Sequence, residues 1–234
     1  MEIKSVKLHD LGQIPYQEAW DFQKACFNEI IEAKLAHRKN PESFKQSTEN
    51  HLIFCEHFPV YTLGRNGKEQ HLLVNESKLN QLGAEFVKIN RGGDITFHGL
   101  GQWVVYPIFD LDLFYTDIGR YIRELEEVVI QVLSFYGLQG ERSKGESGVW
   151  LDVNTSKQRK ICALGVHLSH WVTMHGLAFN INNDLSFYNY IVPCGIQDKT
   201  VTSLSLELNQ KIDMNEVKEL LLSAFIRVFQ LKIT

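Results

Sequence analysis

The chain has 234 residues, a formal net charge of −4, and a composition of 44% hydrophobic and 22% charged residues. This length suits one domain, which we expect to cover residues 1–234, and the composition is that of an ordinary globular protein. The slight acidic excess argues against nucleic-acid binding, because nucleic-acid binders usually carry a strong basic excess.

The four cysteines are widely spaced and form no CxxC pair, which argues against a zinc ribbon. The first residues lack the apolar segment of a signal peptide. Nor does any apolar run approach the ~20 residues that span a membrane. We therefore expect a cytoplasmic protein with reduced cysteines and no membrane association.

Apolar residues at helical spacing predict a helix over residues 16–37 and a second over residues 116–136, which has the most continuous apolar stripe in the chain. Gly137 follows where a glycine would end that second helix. Short apolar runs predict strands at residues 3–8, 52–55, 59–64, 85–90 and 103–110.

Three further strands are predicted over residues 148–153, 160–168 and 171–181, and their spacing indicates an antiparallel meander. A final helix is predicted over residues 214–231, with Asp213 as its N-cap. The predicted class is α+β, with a mixed or mostly antiparallel sheet and helices packed on it.

The stretch from Arg91 to Gln102 contains four glycines, a histidine and an arginine between two predicted strands. Glycines let a backbone adopt positive φ and approach a ligand closely, so this stretch is a candidate binding wall. Its spacing is neither a dinucleotide fingerprint nor a Walker loop, and no helix follows. A glycine-rich bend within a sheet explains the pattern equally well.

Cys194 lies in Val192-Pro193-Cys194-Gly195-Ile196, outside any periodic run. The proline restricts the backbone and the glycine leaves room beside the sulfur, which suits a thiol presented to a cleft. A cationic or basic neighbour would have to activate it, because the reference pKa of a thiol is about 8.5. A structural cysteine is the commoner role.

Lys160 begins an apolar strand, where it could simply be an exposed strand end. If it points into a cleft, desolvation and nearby charge could lower its pKa enough for base chemistry. By strand alternation, Cys162 would share its face.

Two histidines followed by glycine, His98 and His175, are candidates for lining a pocket, although a structural role is the simpler interpretation. We expect no metal site from Cys162, His167, His170 and His175, because extended strands direct their side chains to both faces.

In this order, the motifs resemble the lipoyl(octanoyl) transferases, octanoyl-[acyl carrier protein]:protein N-octanoyltransferases. The resemblance is carried by Arg91-Gly92-Gly93-x-x-Thr96-x-His98-Gly99-x-Gly101-Gln102, Gly148-Val149-Trp150, Lys160-Ile161, Gly165-Val166, His175-Gly176-Leu177-Ala178-Phe179-Asn180 and Pro193-Cys194-Gly195-Ile196. One departure is visible, since Leu100 stands where the family usually has proline.

The resemblance implies a biotin/lipoate protein ligase-like fold, with a larger mixed β-sheet, a smaller sheet and flanking helices. It implies Cys194 as the acyl-accepting nucleophile, Lys160 as its partner, and no cofactor. It also implies a set of substrate-binding residues: Arg91, Gly92, Gly93, Asp94, Ile95, Thr96, Phe97, His98, Ala163, Leu164, Gly165, Gly176, Leu177 and Ala178.

The implied donor is octanoyl-acyl carrier protein, and the implied acceptors are lipoyl domains of 2-oxoacid dehydrogenases and the glycine cleavage H protein. We expect the chain to act as a monomer. Because acyl carrier proteins are acidic, we expect local basic docking residues. The candidates are Arg65, Lys68, Arg142, Lys144 and Arg159.

Two alternatives remain. An ATP-dependent lipoate–protein ligase would share the fold and the glycine stretch, but it activates its acid as an adenylate and has no need of Cys194. A non-catalytic acyl-protein binding module would have no need of either Lys160 or Cys194.

Overall fold

The computed structural model describes residues 3–41, 48–192 and 200–234. In these ranges the helices are α1 (Tyr16–Lys39), α2 (Glu76–Leu82), α3 (Ile118–Phe135), α4 (Leu204–Leu208) and α5 (Met214–Phe229). The strands are β1 (Lys4–Ile14), β2 (Asn50–His57), β3 (Val60–Leu63), β4 (Glu85–Lys88), β5 (Ile95–His98), β6 (Gln102–Ile108), β7 (Glu141–Ser143), β8 (Glu146–Leu151), β9 (Arg159–Ser169), β10 (Val172–Asn180), β11 (Thr200–Val201) and β12 (Leu231–Ile233).

Most strands belong to one large sheet with the order β12-β1-β2-β6-β10-β9-β8-β7, and β11 pairs with β9 outside this path. The sheet is mixed, because β1 runs parallel to β2 and β12 while β2, β6, β10, β9 and β8 are successively antiparallel. The predicted meander is the run β8-β9-β10. A smaller sheet has the order β4-β3-β5. The predicted α+β class, with a larger mixed sheet and a smaller one, is confirmed.

The large sheet is covered by helices on both faces. On one face α3 and α5 bury their apolar stripes, with Leu125, Val129 and Leu221 fully inaccessible to solvent. On the other face, Phe27 and Ile30 of α1 pack over the middle strands. Helix formation therefore follows the apolar periodicity of the sequence, and each stripe finds a sheet face to cover.

Several elements differ from the sequence-based predictions. Helix α2 was not predicted, although its Asn75 side chain accepts from the backbone N–H of Lys78 and Gly83 ends it with φ of +60°. Strand β5 lies inside the glycine stretch, where no strand was predicted. The predicted cap of α5 is confirmed, because the Asp213 carboxylate accepts from Asn215 N at 2.8 Å.

Leu100 lies in the tight turn that links β5 to β6. Gln102 N donates to Gly99 O at 3.2 Å, and Gly101 has a φ of +83°. These are features of a type II turn with Leu100 at its second position, where the preferred φ is near the value that proline fixes. The Leu100 side chain is 41% exposed, so it contributes little packing.

We expect Leu100→Pro to raise the free energy of unfolding by about 0.5–1 kcal/mol, because proline restricts the unfolded chain at a position whose folded backbone it fits. Urea unfolding monitored by circular dichroism measures this change. Leu100→Gly is the matched opposite and should lower the free energy of unfolding. A destabilising Leu100→Pro would show that this backbone does not match proline.

Candidate active site

A cavity of about 360 Å³ lies between the large sheet, the glycine stretch and the first turn of α1. Strands β9 and β10 contribute its floor, Arg91 and the residues up to His98 form one wall, and Tyr16 closes it from α1. Its volume lies within the range of small-molecule sites, which is ~300–1,000 Å³.

Most of the predicted substrate-binding residues line this cavity: Arg91, Gly93, Asp94, Ile95, Thr96, His98, Ala163, Leu164, Gly165, Gly176, Leu177 and Ala178. The other two do not. Gly92 N donates instead to Val166 O at 2.8 Å, and the Phe97 ring stacks on Phe187 with centroids 4.5 Å apart. Gly92 and Phe97 therefore support the wall from behind.

Further aromatic and polar side chains line the cavity that were not predicted as site residues: Tyr16, Tyr106, Ser147, Asn180 and Tyr188. Asn180 ends the histidine–glycine motif of β10, so that motif could have indicated it. Tyr16 and Tyr188 come from α1 and from the segment after β10, and only the packing of these elements onto the sheet brings them to the cavity.

Small residues face each other across the floor. Ala163 pairs with Ala178, and Gly165 pairs with Gly176, on neighbouring strands β9 and β10. A Cβ atom at Gly165 would lie 2.9 Å from Cδ of Arg91 and 3.0 Å from Gly92 O. Glycine at this position therefore lets the glycine stretch pack directly on β9, while the small floor leaves room for a bound chain.

Arg91 is a buried cation in the wall, with only 8% of its surface exposed. Its Nη2 donates to the carbonyl of Thr62 at 2.7 Å and to the Thr62 hydroxyl at 3.1 Å, while Nη1 donates to Gly92 O at 3.0 Å. These bonds tie the glycine stretch to β3 and fix the position of the charge in the wall.

His98 and Tyr16 turn ring faces toward one another beside the cavity, with centroids 6.0 Å apart and planes nearly parallel. His98 Nδ1 donates to Gln102 Oε1 at 2.9 Å, and its Nε2 accepts from the Thr62 hydroxyl at 3.3 Å. Because the polar atoms of His98 bond within the protein, its ring can contact an aliphatic chain without leaving them unsatisfied.

Three buried histidines lie at or behind the cavity wall: His98 and His175 line the cavity, and His57 packs behind it against Tyr16 and His98. Burial lowers the pKa of His57 to about 4 and that of His98 well below its ordinary value. Burial, followed by the charge of Arg91, lowers the pKa of His175 to about 3. His175 Nε2 donates to Asn90 Oδ1 at 2.7 Å. The structure places both His98 and His175 at the cavity, and their part in binding stays a prediction.

Lys160 lines the cavity at the start of β9, where Val201 of β11 pairs with it. Its Nζ donates to Ser147 O at 3.2 Å and lies 4.4 Å from the ring centroid of Trp150. The amine is therefore at the cavity and held by a carbonyl and an aromatic face, both of which favour a cation.

The expectation that Cys162 shares the face of Lys160 is wrong, because β9 contains a β-bulge. Lys160 pairs with Trp150 while Cys162 pairs with Val149, so Ile161 is the extra residue. The bulge reverses the alternation, and Cys162 packs in the core beneath the sheet. Burial raises the pKa of its thiol, which keeps it protonated and unreactive.

The predicted nucleophile, Cys194, lies outside the described residues. On one side, Val192 N donates to His71 O at 2.8 Å, and the His71 ring contacts the Asp94 carboxylate in the cavity wall at 2.6 Å. On the other side, Thr200, six residues after Cys194, pairs with Arg159. Both flanks therefore lie beside the cavity.

Two of the predicted docking cations are already paired within the protein. Arg142 contacts Glu126 at 3.2 Å and Glu127 at 2.7 Å, and Arg159 contacts Glu207 at 2.6 Å. The remaining candidates for binding an acidic partner are Arg65, Lys68 and Lys144, which are exposed.

Among the described residues, no cluster of His, Cys, Asp or Glu could hold a metal ion, and no helix is long and apolar enough to cross a membrane.

A family model described as the lipoyl protein ligase A/B catalytic domain matches residues 15–226. The chain belongs to this family. Among curated relatives, an octanoyltransferase from Christiangramia forsetii is 53% identical over 228 residues, which is 97% of each chain. An octanoyltransferase from Cytophaga hutchinsonii is 52% identical over 231 residues, 98% of this chain and 95% of the relative. The predicted family, and with it an acyltransferase, is confirmed.

Solved structures of lipoate protein ligases share the fold. A bipartite lipoate protein ligase from Thermoplasma acidophilum superposes with a TM-score of 0.71 at 18% identity, covering 99% of this chain and 86% of that one. An ATP-bound lipoate-protein ligase A gives 0.70 at 16% identity, covering 98% and 87%. The predicted lipoate protein ligase-like fold is therefore confirmed.

Proposed function

We propose that the chain transfers an octanoyl or lipoyl group from acyl carrier protein to the target lysine of lipoyl domains, including those of 2-oxoacid dehydrogenases and the glycine cleavage H protein. The observation that carries the proposal is the cavity itself. It combines an apolar floor, a wall that carries the buried Arg91, and Lys160, whose strand pairs with the segment that follows Cys194. The octanoyltransferases that are about half identical to the chain support the same reaction.

In the first half-reaction, the Cys194 thiolate attacks the carbonyl carbon of the octanoyl thioester. A new carbon–sulfur bond forms on Cys194, and the bond to the carrier's sulfur breaks, so that the carrier leaves as a thiol. Exchange of one thioester for another is close to energy-neutral and needs no ATP. Lys160 takes the thiol proton of Cys194, or holds the thiolate as an ion pair in its ammonium form, and this proton passes to the carrier's sulfur as it leaves.

In the second half-reaction, the amine of the acceptor lysine attacks the carbonyl carbon held on Cys194. The amide bond forms, Cys194 leaves as a thiolate, and Lys160 takes the proton of the amine. Amide formation from a thioester is downhill and draws the sequence forward. Backbone N–H groups near Leu164–Val166 or in the glycine stretch would stabilise the oxyanion, apart from Gly92 N, which already bonds to Val166 O.

Affinity for the acyl chain comes from the apolar floor. Each methylene group removed from water contributes about 0.8 kcal/mol. Ala163 and Ala178 lie side by side beneath the chain, and the ring of Tyr16 lies at the α1 side of the cavity. The space between these groups therefore selects both for an aliphatic substrate and for its length.

An ATP-dependent lipoate–protein ligase is the second candidate, because the fold is shared with an ATP-bound lipoate-protein ligase A. At 16% sequence identity, that similarity supports a shared fold and does not extend to the reaction. Lipoate-dependent release of pyrophosphate from ATP would favour the ligase. A third candidate, a non-catalytic acyl-protein binding module, would bind octanoyl carrier protein and form no covalent adduct.

We expect incubation with octanoyl-acyl carrier protein to leave one octanoyl group on Cys194, detected by intact-mass spectrometry and located by peptide mapping. The adduct should be absent in Cys194→Ser. Cys26→Ser is the matched control and should retain it, because Cys26 is buried in α1 packing. An unmodified wild-type protein, or an adduct that persists in Cys194→Ser, would reject the covalent mechanism.

A further inference from the structure

Arg159, the residue immediately before Lys160, is held by two carboxylates from different parts of the chain. Its Nε and Nη2 donate to the two oxygens of Glu207, each at 2.6 Å, in a bidentate arrangement. Its Nη1 donates to Asp152 and to Lys157 O. The Glu207 side chain is 12% exposed, so this pair is largely shielded from water.

Glu207 also reaches the other side of Lys160. Its Oε1 accepts from the hydroxyl of Thr202 at 2.5 Å, and Thr202 is fully buried. The backbone N–H of Thr202 donates to the carbonyl of Lys160 at 2.9 Å. The Thr202 carbonyl in turn accepts from the side chain of Asn180 at 3.0 Å. One carboxylate therefore contacts both the residue before Lys160 and the residue bonded to its carbonyl.

The local structure keeps this carboxylate in place. Glu207 lies on α4, whose first turn is capped by the hydroxyl of Ser203 at 3.3 Å from Leu206 N. Glu207 N donates to Ser203 O at 3.0 Å, so its backbone is fixed by the helix. The hydrogen bonds from Arg159 lower the pKa of Glu207, and it stays ionised across the neutral range.

We propose that Glu207 is a positioning residue for the acyl-transfer reaction, which holds the backbone of Lys160 so that its amine stays at the cavity. The inference rests on the proposed role of Lys160. Because β9 is bulged at Ile161, directly after Lys160, its regular pairing with β8 is interrupted there. The bonds from Arg159 and Thr202 to Glu207 supply the missing restraint at this point of the strand.

The test compares Glu207→Gln with wild type in steady-state octanoyl transfer from acyl carrier protein to a lipoyl domain, over a range of carrier concentrations. Glutamine keeps the shape and a hydrogen bond to Thr202 but removes the charge that binds Arg159 bidentately. We expect kcat to fall about tenfold or more, with KM for the carrier within about twofold of wild type, because a displaced catalytic group slows the reaction without removing the acyl cavity. Glu127→Gln is the matched control, since Glu127 pairs with Arg142 away from β9, and it should leave kcat unchanged.

A double-mutant cycle separates positioning from a general structural role. In a Lys160→Ala background, Glu207→Gln should cause no further loss, because the residue that Glu207 positions is gone. An equal loss in both backgrounds, or an unchanged kcat in Glu207→Gln, overturns the proposal. Should Glu207→Gln unfold, Thr202→Val tests the second arm of the same network under the same criteria. Absence of a Cys194 adduct in wild-type protein overturns the proposed function and this role together, and is seen without any Glu207 variant.

Discussion

Replacing Lys160 with alanine should slow octanoyl transfer by at least about a hundredfold, the effect typical of a removed general base, while the protein remains folded. Lys160 lines the cavity, where its Nζ donates to Ser147 O and lies over the ring of Trp150. The alanine variant keeps the strand pairing of Lys160 with Val201, because that pairing uses backbone atoms.

Both half-reactions should be slowed, since Lys160 handles a proton in each. Single-turnover measurements separate them: acylation of Cys194 by octanoyl-acyl carrier protein, and release of the adduct to a lipoyl domain. Lys160→Arg distinguishes two roles of the amine. Arginine can hold a thiolate as an ion pair but cannot accept a proton, because its pKa lies above about 12. Slow transfer in both variants identifies a proton acceptor.

Lys157→Ala is the matched control, because Lys157 is an exposed lysine in the turn that leads into β9, three residues before Lys160. It should retain the wild-type rate. A wild-type rate in Lys160→Ala would remove this residue from the mechanism, and a lost circular-dichroism spectrum would show that its role is structural. The measurement therefore distinguishes chemistry from folding.

The periodicity of apolar residues correctly predicted the long helices, each of which buries one apolar face against the sheet. The stripe of α3 was predicted over residues 116–136, and the helix occupies Ile118–Phe135. Short elements were missed even where capping signals existed, as with Asn75 and Gly83 around α2. The seven residues of α2 are too few for apolar spacing to identify a helix, because the stability of such a short helix depends on tertiary packing that the sequence does not show.

Residues of the site that lie in local sequence motifs were predicted, whereas features that depend on strand pairing or on distant contacts were not. The glycine stretch and the floor residues of β9 and β10 are local patterns, and all of the residues named from them except Gly92 and Phe97 line the cavity. The bulge at Ile161 is not a local pattern, so strand alternation placed Cys162 on the wrong face. Arg159 was read as a docking cation because its partner Glu207 is 48 residues away, and only the fold brings the two together.

Lowering the pH from 7 to 5 should destabilise the protein by several kcal/mol, because His57, His98 and His175 are buried in their neutral forms. Each is at most 6% exposed, and their pKa values lie below the reference value of about 6.5 that they regain on unfolding. At a pH between the lowered pKa of the folded state and the pKa of about 6.5 in the unfolded state, the unfolded state binds more protons than the folded state. The contribution of these histidines to stability is therefore fully present above pH 6.5 and is lost as the pH falls below it.

The environment of each ring explains why protonation is resisted. His98 Nε2 accepts from the Thr62 hydroxyl, and the oxygen of that hydroxyl accepts from Arg91. A proton added to Nε2 would therefore meet the hydrogen of the hydroxyl and lie close to the Arg91 cation. His57 Nδ1 bonds to Ile14 O, and its Nε2 accepts from the hydroxyl of Tyr106 at 2.7 Å. In neither ring can the second nitrogen gain a proton without disturbing a buried hydrogen bond.

Each histidine should contribute roughly 2 kcal/mol to the loss between pH 7 and pH 5, measured as the free energy of unfolding in urea. His175→Asn should reduce this loss by one histidine's share, and asparagine tolerates the φ of +63° at this position. His170→Asn is the matched control, because His170 also has a positive φ, +52°, but is exposed in the β9–β10 turn. A free energy of unfolding that changes by less than about 1 kcal/mol over this range would show that the cavity histidines accept protons in the folded protein.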